Sequence, residues 1–176
     1  MWAGIALKKI LIAGEAGQTT NYENALAAMQ VHFVTSLQVK DVDEYDGLLL
    51  PGGGDVDPKL FGQLLIPETE IRQYSRWEQQ LIRKGQEKLT PELDRIQLAI
   101  LKAFCQYRKP VFGICKGMQL INIAFGGDML RHLPTAVHHA YREKDQMHPA
   151  RNEVNSFLYE VYGSDMLVNS AHHQGV

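Results

Sequence analysis

Cysteine, long apolar runs and dense charge of one sign are all scarce in this sequence. Its 176 residues include two cysteines, Cys105 and Cys115, too few for the disulfide framework of a small secreted protein. Apolar runs such as residues 10–13 and 48–50 are too short to cross a bilayer. The formal net charge of −2 and the lack of a dense Lys/Arg tract argue against nucleic acid and anionic membranes as partners. We therefore expect a cytoplasmic protein that binds neither.

We also expect no signal peptide, and the sequence shows no internal repeats or low-complexity stretches. Residues 1–7 are mostly apolar, but lysines follow them, whereas a signal peptide carries its positive charge before the apolar stretch. With 45% hydrophobic and 22% charged residues, the composition is typical of a folded globular protein. The length and the lack of a linker predict a single domain over residues 1–176.

Strand-like and helix-like segments alternate along the chain. Short apolar or β-branched runs predict strands at residues 10–13, 31–35, 46–50, 111–114 and 166–169. Helical patterns follow at residues 22–29, 77–82, 91–107 and 117–125, with Asn21 and Thr90 as expected caps. In the third of these helices, one apolar face is predicted to contain Leu93, Ile96, Ile100, Ala103 and Tyr107. This alternation predicts a three-layer α/β fold, a mostly parallel sheet with helices on both faces.

Three chemically suggestive segments each follow a predicted strand. They are residues 51–55 (Pro-Gly-Gly-Gly-Asp), Cys115, and residues 170–174 (Ser-Ala-His-His-Gln). In an open parallel sheet, ligands bind at the carboxyl ends of the strands. We therefore expect these segments to converge at one edge of the sheet.

Cys115 has the sequence context of a nucleophile. It sits in Gly-Ile-Cys-Lys-Gly, between a predicted strand and a predicted helix, which is the sulfur version of the nucleophile elbow. Such a turn strains the backbone at the central residue, and the flanking glycines let strand and helix approach closely. The helix N-terminus favours the thiolate, the reactive form. A buried, unreactive thiol is the alternative, and we assign that role to Cys105, which lacks any such context.

The three glycines at residues 52–54 follow a buried strand. Their backbone N–H groups could stabilise the oxyanion of an acyl-transfer reaction. A phosphate-binding loop is a competing interpretation, but the Gly-Lys-Ser/Thr ending of such loops is missing. A tight turn with no ligand remains the other alternative.

The seven histidines do not predict a metal site. On paper, a ligand set could be drawn from His132, His138, His139 and His148. Adjacent histidines on a strand point to opposite faces, so we expect no metal. The pair His148–Pro149 is expected on a surface loop.

Three ordered motifs resemble those of class I glutamine amidotransferases. They are residues 51–58 (Pro-Gly-Gly-Gly-Asp-Val-Asp-Pro), residues 113–122 (Gly-Ile-Cys-Lys-Gly-Met-Gln-Leu-Ile-Asn) with Gly126–Gly127, and residues 168–174 (Val-Asn-Ser-Ala-His-His-Gln). More narrowly, they resemble the γ-glutamyl-γ-aminobutyrate hydrolase branch of that family. The resemblance covers nearly the whole chain and implies a flavodoxin-like fold, no cofactor and a small-molecule γ-glutamyl substrate.

The resemblance also implies roles for individual residues. Cys115 would attack the γ-carbonyl and form a glutamyl thioester, while the N–H groups of Gly53 and Lys116 would form the oxyanion hole. Lys116 departs from the arginine usual at its position, although the chemistry uses its backbone. The substrate-binding residues implied by the resemblance are Gln119, Ser170 and His172.

One departure from the family concerns the general base. The family carries its catalytic histidine and glutamate in a later His-Pro-Glu segment, whereas this sequence stops at Val176. We expect a fragment of a longer chain. The alternatives are a shortened homologue in which His172 or His173 is the base, and a non-catalytic binding relative. A glutaminase subunit that passes ammonia to a synthetase partner is a further alternative, and a homo-oligomer is also compatible with the sequence.

Overall fold

The computed structural model describes residues 8–176. These residues form two compact units, residues 8–129 and residues 130–175, and each is described by itself below. The expectation that residues 1–7 form no signal peptide lies outside the described part of the chain. The expectation of a single domain stays a prediction. No helix among residues 8–176 is long and apolar enough to span a membrane.

A four-stranded parallel sheet forms the centre of the first unit. Its strands are β1 (Lys9–Ile12), β2 (His32–Thr35), β3 (Gly47–Leu50) and β4 (Val111–Gly113), in the order β2-β1-β3-β4. Every pairing is parallel, with Leu11 opposite both Val34 and Leu48. All residues of β3 are buried, as expected for a central strand covered on both faces. The α/β fold class and these four strands are confirmed.

Five α-helices belong to the described residues of the first unit. They are α1 (Thr20–Ala28), α2 (Glu68–Ile71), α3 (Arg76–Glu87), α4 (Pro91–Gln106) and α5 (Lys116–Ala124), and two short 3-10 helices lie at Val42–Glu44 and Pro58–Phe61. Helix α3 begins with a capping box, in which the side chains of Ser75 and Glu78 each accept a backbone N–H of the other residue. The four helices predicted from the sequence are all present.

Of the two predicted helix caps, Asn21 is wrong and Thr90 is right in position but not in its hydrogen bond. Helix α1 begins one residue before Asn21, so Asn21 lies inside the helix. Thr90 occupies the N-cap position of α4, but its side chain makes no capping hydrogen bond. The Thr90 hydroxyl instead lies 3.4 Å from the Nζ atom of Lys116. A long-range polar contact therefore replaces the local one that the sequence predicts.

The core of the first unit joins the sheet to α4 and α5. Its buried apolar side chains include Leu11, Leu48, Leu50, Leu98, Leu101, Phe104 and Leu120. The predicted apolar face of α4 is only partly right, because Ile100 is buried whereas Tyr107 is 51% exposed. The buried face also contains the polar residues Asp94 and Gln97, which a count of apolar side chains leaves out.

The second unit contains a two-stranded antiparallel sheet. Helix α6 (Ala136–His139), strand β5 (Gln146–Arg151), helix α7 (Phe157–Tyr162) and strand β6 (Asp165–Ser170) are its elements. Strands β5 and β6 pair along their whole length, with His148 opposite Val168. The predicted strand at residues 166–169 is thus confirmed, but it is not a strand of the parallel sheet. The expectation that residues 170–174 follow a parallel strand is therefore wrong.

Two expectations about the histidines are also corrected in this unit. His148 and Pro149 lie within β5 rather than on a surface loop. Proline is tolerated in such a two-stranded ribbon, because an edge strand can leave one N–H position unpaired. His138 and His139 form the last turn of α6 and are not strand residues. The argument that they point to opposite faces of a strand therefore does not apply.

Candidate active site

Cys115 occupies a strained turn between β4 and α5. Its backbone angles are φ 50° and ψ −109°, in the left-handed half of conformational space that non-glycine residues rarely adopt. Strain of this kind is maintained only when the surrounding structure holds it, and it is concentrated at functional sites. The side chain is exposed. The strained, accessible turn predicted from the sequence is therefore present, and the role of Cys115 as a nucleophile stays a prediction.

The two glycines that flank Cys115 allow close packing of the turn. A Cβ atom on Gly113 would lie 2.6 Å from the carbonyl group of Gly117. A Cβ atom on Gly117 would collide with the backbone oxygen of Leu50, the last residue of β3. Neither position has room for a side chain. This confirms the expected close approach of strand and helix.

The glycine turn at residues 52–54 packs against the cysteine. The N–H group of Gly52 donates to the phenol oxygen of Tyr22 over 2.9 Å. A Cβ atom on Gly52 would lie 2.8 Å from that oxygen and 3.4 Å from the Cβ atom of Cys115. Tyr22 thus anchors the turn beside Cys115. The sequence analysis missed this role, because nothing in the local pattern of α1 links it to a residue 30 positions away.

Two backbone donors in this region have no protein acceptor. Among the described residues, the N–H groups of Gly53 and Lys116 make no hydrogen bond to the chain. The two residues are adjacent in space, because a Cβ atom on Gly53 would lie 2.9 Å from Cδ of Lys116. Unpaired N–H groups beside a nucleophile are the donors that an oxyanion requires. Their assignment as an oxyanion hole stays a prediction.

Gln119 lies one helical turn after Cys115. Its side chain is 5% exposed, and its backbone N–H donates to the Cys115 carbonyl over 3.2 Å. The residue is therefore held in the first turn of α5 next to the elbow. Its contact with substrate stays a prediction.

Ser170 and His172 lie at the end of β6 and just beyond it, in the second unit. Ser170 is buried, and its Oγ atom lies 3.2 Å from Nδ1 of His139. Nδ1 of His172 lies 2.9 Å from the carbonyl oxygen of Gln174. Since a carbonyl only accepts, this Nδ1 carries the proton, and Nε2 is the basic nitrogen of the neutral ring. The predicted roles of both residues in a γ-glutamyl pocket are not tested by these contacts.

The second unit contains a histidine cluster, which consists of His139, His148 and His172. The ring of His139 packs edge-on to His148 at 4.7 Å and stacks on His172 at 5.4 Å between centroids. Burial lowers the pKa of His139 below its usual value, and the charges of His148, His172 and His138 lower it further. A separate pair, His132 and His173, brings two Nδ1 atoms within 3.1 Å. Within residues 8–176, no group of three or more His, Cys, Asp or Glu side chains is arranged to hold a metal ion.

Acidification is expected to destabilise the second unit. Because the folded pKa of His139 is lowered, the unfolded chain binds more protons just below the ordinary histidine value of about 6.5. The free energy of unfolding therefore decreases as the pH falls from 7 towards 5. Hydrogen exchange over residues 136–172, corrected for the intrinsic rate, should become faster at pH 5.

A matched pair of variants separates this effect from general acid sensitivity. His139→Gln should reduce the pH response of exchange in residues 136–172. His32→Gln, at an exposed position of β2, should leave it unchanged. An unaltered response in His139→Gln would contradict the assignment.

Comparison with known families identifies the family of the chain. The sequence pattern of the peptidase C26 family matches residues 76–176, more than half of the chain, and includes the whole elbow. The chain belongs to the peptidase C26 family. This family is one of the class I glutamine amidotransferase-like proteins, so the coarser part of the sequence resemblance is confirmed.

Curated relatives of this peptidase C26 chain are distant. Protein NtpR of Enterococcus hirae is 28% identical over 77% of this chain and 52% of its own length. The glutamine amidotransferase-like protein YvdE of Lactococcus lactis is 31% identical over 73% of this chain and 50% of its own length. The γ-glutamyl-γ-aminobutyrate hydrolase of Escherichia coli O157:H7 is 28% identical over 80% of this chain and 53% of its own length. The chain therefore spans about half the length of these relatives.

Solved structures confirm the fold of the peptidase C26 chain. A glutamine amidotransferase from Thermotoga maritima superposes with a TM-score of 0.60 at 12% identity, covering 96% of this chain and 62% of that one. At this identity the similarity supports the fold alone. The glutamine amidotransferase-like architecture predicted from the sequence is thus confirmed.

Proposed function

We propose that this chain carries the nucleophile of a cysteine-dependent hydrolase of γ-glutamyl amides. The observation that carries the proposal is the exposed Cys115 in a strained elbow, next to the unpaired N–H groups of Gly53 and Lys116. Membership of the peptidase C26 family supports it. So does the similarity to the hydrolase of γ-glutamyl-γ-aminobutyrate from Escherichia coli.

The proposed reaction has two acyl-transfer steps. The Cys115 sulfur attacks the γ-carbonyl carbon, a C–S bond forms, and the N–H groups of Gly53 and Lys116 stabilise the oxyanion. The tetrahedral intermediate then expels the amine, which takes up the proton that left the thiol. Water attacks the glutamyl thioester, the C–S bond breaks, and glutamate and the free thiol result.

A general base is required for both proton transfers. The family resemblance implies a base in a His-Pro-Glu segment.

Trapping of the thioester tests this proposal. The chain is mixed with γ-glutamyl-p-nitroanilide, quenched in acid after a short time and digested for mass spectrometry. We expect the peptide that contains Cys115 to gain the mass of one glutamyl group, with release of one equivalent of nitroaniline. A folded sample that forms no adduct, and that a glutamine-like chloroketone does not label at Cys115, would favour a non-catalytic binding protein.

A glutaminase subunit is the second candidate function. Relatives described as glutamine amidotransferase-like, such as YvdE, favour it. A glutaminase subunit would hydrolyse free glutamine only when a synthetase partner is present. Hydrolysis of a γ-glutamyl amide by the chain alone would argue for the hydrolase instead.

A further inference from the structure

A fully buried carboxylate lies beneath the candidate active site. Asp94 of α4 is 0% exposed, and its Oδ1 atom lies 2.5 Å from Nζ of Lys116, which is itself 2% exposed. The other oxygen, Oδ2, accepts the backbone N–H of Asp57 over 3.0 Å. Both charges are thus removed from water and paired with each other.

These contacts connect the two segments that supply the candidate oxyanion donors. Lys116 directly follows Cys115, and its backbone N–H is one of the donors. Asp57 ends the glycine-rich segment of residues 51–57, which contains Gly53, the other donor. Gly53 also packs over the Lys116 side chain, at a position where a Cβ atom would lie 2.9 Å from Cδ. A single carboxylate therefore contacts both segments.

Helix α4 gives this carboxylate a rigid support. The helix is 16 residues long and buries Leu98, Leu101 and Phe104 in the core. Lys116 is drawn towards the helix by Asp94 and also reaches the Thr90 hydroxyl at 3.4 Å. The backbone of Lys116, which directly follows Cys115, is consequently tethered to the core through the Lys116 side chain.

Stability alone is a weak reason for this ion pair. Burying two charges costs several kcal/mol in desolvation, and apolar replacements of buried pairs are often neutral or stabilising. Catalysis by backbone donors, in contrast, depends on their exact placement, since removing one donor typically lowers turnover about 10²- to 10³-fold. The pair is therefore better explained by what it holds in place.

We propose that Asp94 is a positioning residue that fixes the Lys116 and Gly53 N–H groups as one oxyanion site. The inference rests on the proposed acyl-transfer function and deepens it. Asp94 touches no substrate; it acts through the Lys116 side chain and the Asp57 backbone. Removal of its charge releases Lys116 and loosens the turn at residues 51–57, while the thiol of Cys115 stays accessible.

Asp94→Asn tests the proposal with two reactions of the same thiol. Acylation by γ-glutamyl-p-nitroanilide needs the oxyanion donors, whereas alkylation by iodoacetamide does not. We expect the acylation rate to fall roughly 100-fold, with the loss in kcat rather than KM, and the alkylation rate to stay within about twofold. Lys116→Met, which removes the ion pair, should lose acylation to the same extent as Asp94→Asn.

Gln97→Met is the matched control for lost stability. Gln97 is a buried polar residue one turn further along α4, where it donates to the Ala13 carbonyl over 2.8 Å. This variant should lose stability but keep its acylation rate. Equal acylation in Asp94→Asn and the unmodified chain, or an equal loss in Gln97→Met, would overturn the inference.

The outcome in an inactive chain is also decisive. If the unmodified chain is not acylated at all, the proposed function fails, and hydrogen exchange then tests the positioning role by itself. Asp94→Asn must accelerate exchange in residues 52–57 and 115–118 at least tenfold more than Gln97→Met does. Equal exchange in the two variants would refute the role of Asp94.

Discussion

Replacement of Cys115 by alanine is expected to abolish glutamyl transfer completely. The proposed mechanism routes both steps through this sulfur, so its removal should lower the rate of amine release at least about 10⁴-fold. Folding should be unaffected, because the side chain is exposed and alanine also fits the turn without a new contact. The measurement is nitroaniline release from γ-glutamyl-p-nitroanilide, together with the mass of the quenched protein.

Cys105 provides the matched control for this substitution. It is the other free cysteine, it is half-buried in α4, and it packs against the hydrophobic core. Cys105→Ser should reduce stability slightly and leave acylation of Cys115 intact. Acylation that persists in Cys115→Ala, or that disappears only in Cys105→Ser, would refute the assignment of the nucleophile.

Replacement of Gly117 by alanine is expected to have the largest effect on stability. A Cβ atom there would collide with the backbone of Leu50 in the buried strand β3, and main-chain atoms cannot rotate away as a side chain would. Overpacking of this kind costs about 3 kcal/mol. In a chain of this size such a loss lowers Tm by roughly 6–12 °C.

Gly54→Ala is the control for the Gly117 substitution. No heavy atom lies within 4 Å of the position that a Cβ atom would take on Gly54. Its Tm should therefore stay close to that of the unmodified chain. Thermal unfolding followed by circular dichroism compares the two variants, and equal Tm values would contradict the close packing of strand and helix at the elbow.

The elbow could be predicted from the sequence because its determinants are local. Strand, turn and helix around Cys115 follow from a β-branched run, two glycines and a helical pattern within 15 consecutive residues. Glycine at positions 113 and 117 indicates where strand and helix approach each other closely. The structure confirms both the strain at Cys115 and the lack of space at these glycines.

The contacts that support the elbow could not be predicted in the same way. Tyr22 anchors Gly52, and Asp94 pairs with Lys116, but each pair is separated by more than 20 residues. Hydrophobic periodicity indicates which side of a helix is buried, but it does not indicate which other segment packs against that side. For α4 it also misplaced the buried face, because two polar residues, Asp94 and Gln97, lie on it.

The second unit illustrates the same limit for strand pairing. The pattern at residues 166–169 predicts a strand, whereas His148 and Pro149, which lie in β5, are expected on a surface loop from the sequence. Only the hydrogen-bonded register between β5 and β6 shows that they form a ribbon. Pairing is a property of two segments together, so neither segment alone encodes it.

By itself, the sequence determined the α/β class, the family resemblance and the identity of the candidate nucleophile. These features depend on residue type and on spacings of a few residues. Residues that are close in sequence set the local backbone conformation directly, because the chain joins them. The tertiary structure alone decided which groups surround Cys115, which polar residues are buried and how β6 is paired. Those features arise from contacts between distant segments, whose free energies are set by packing and desolvation in three dimensions.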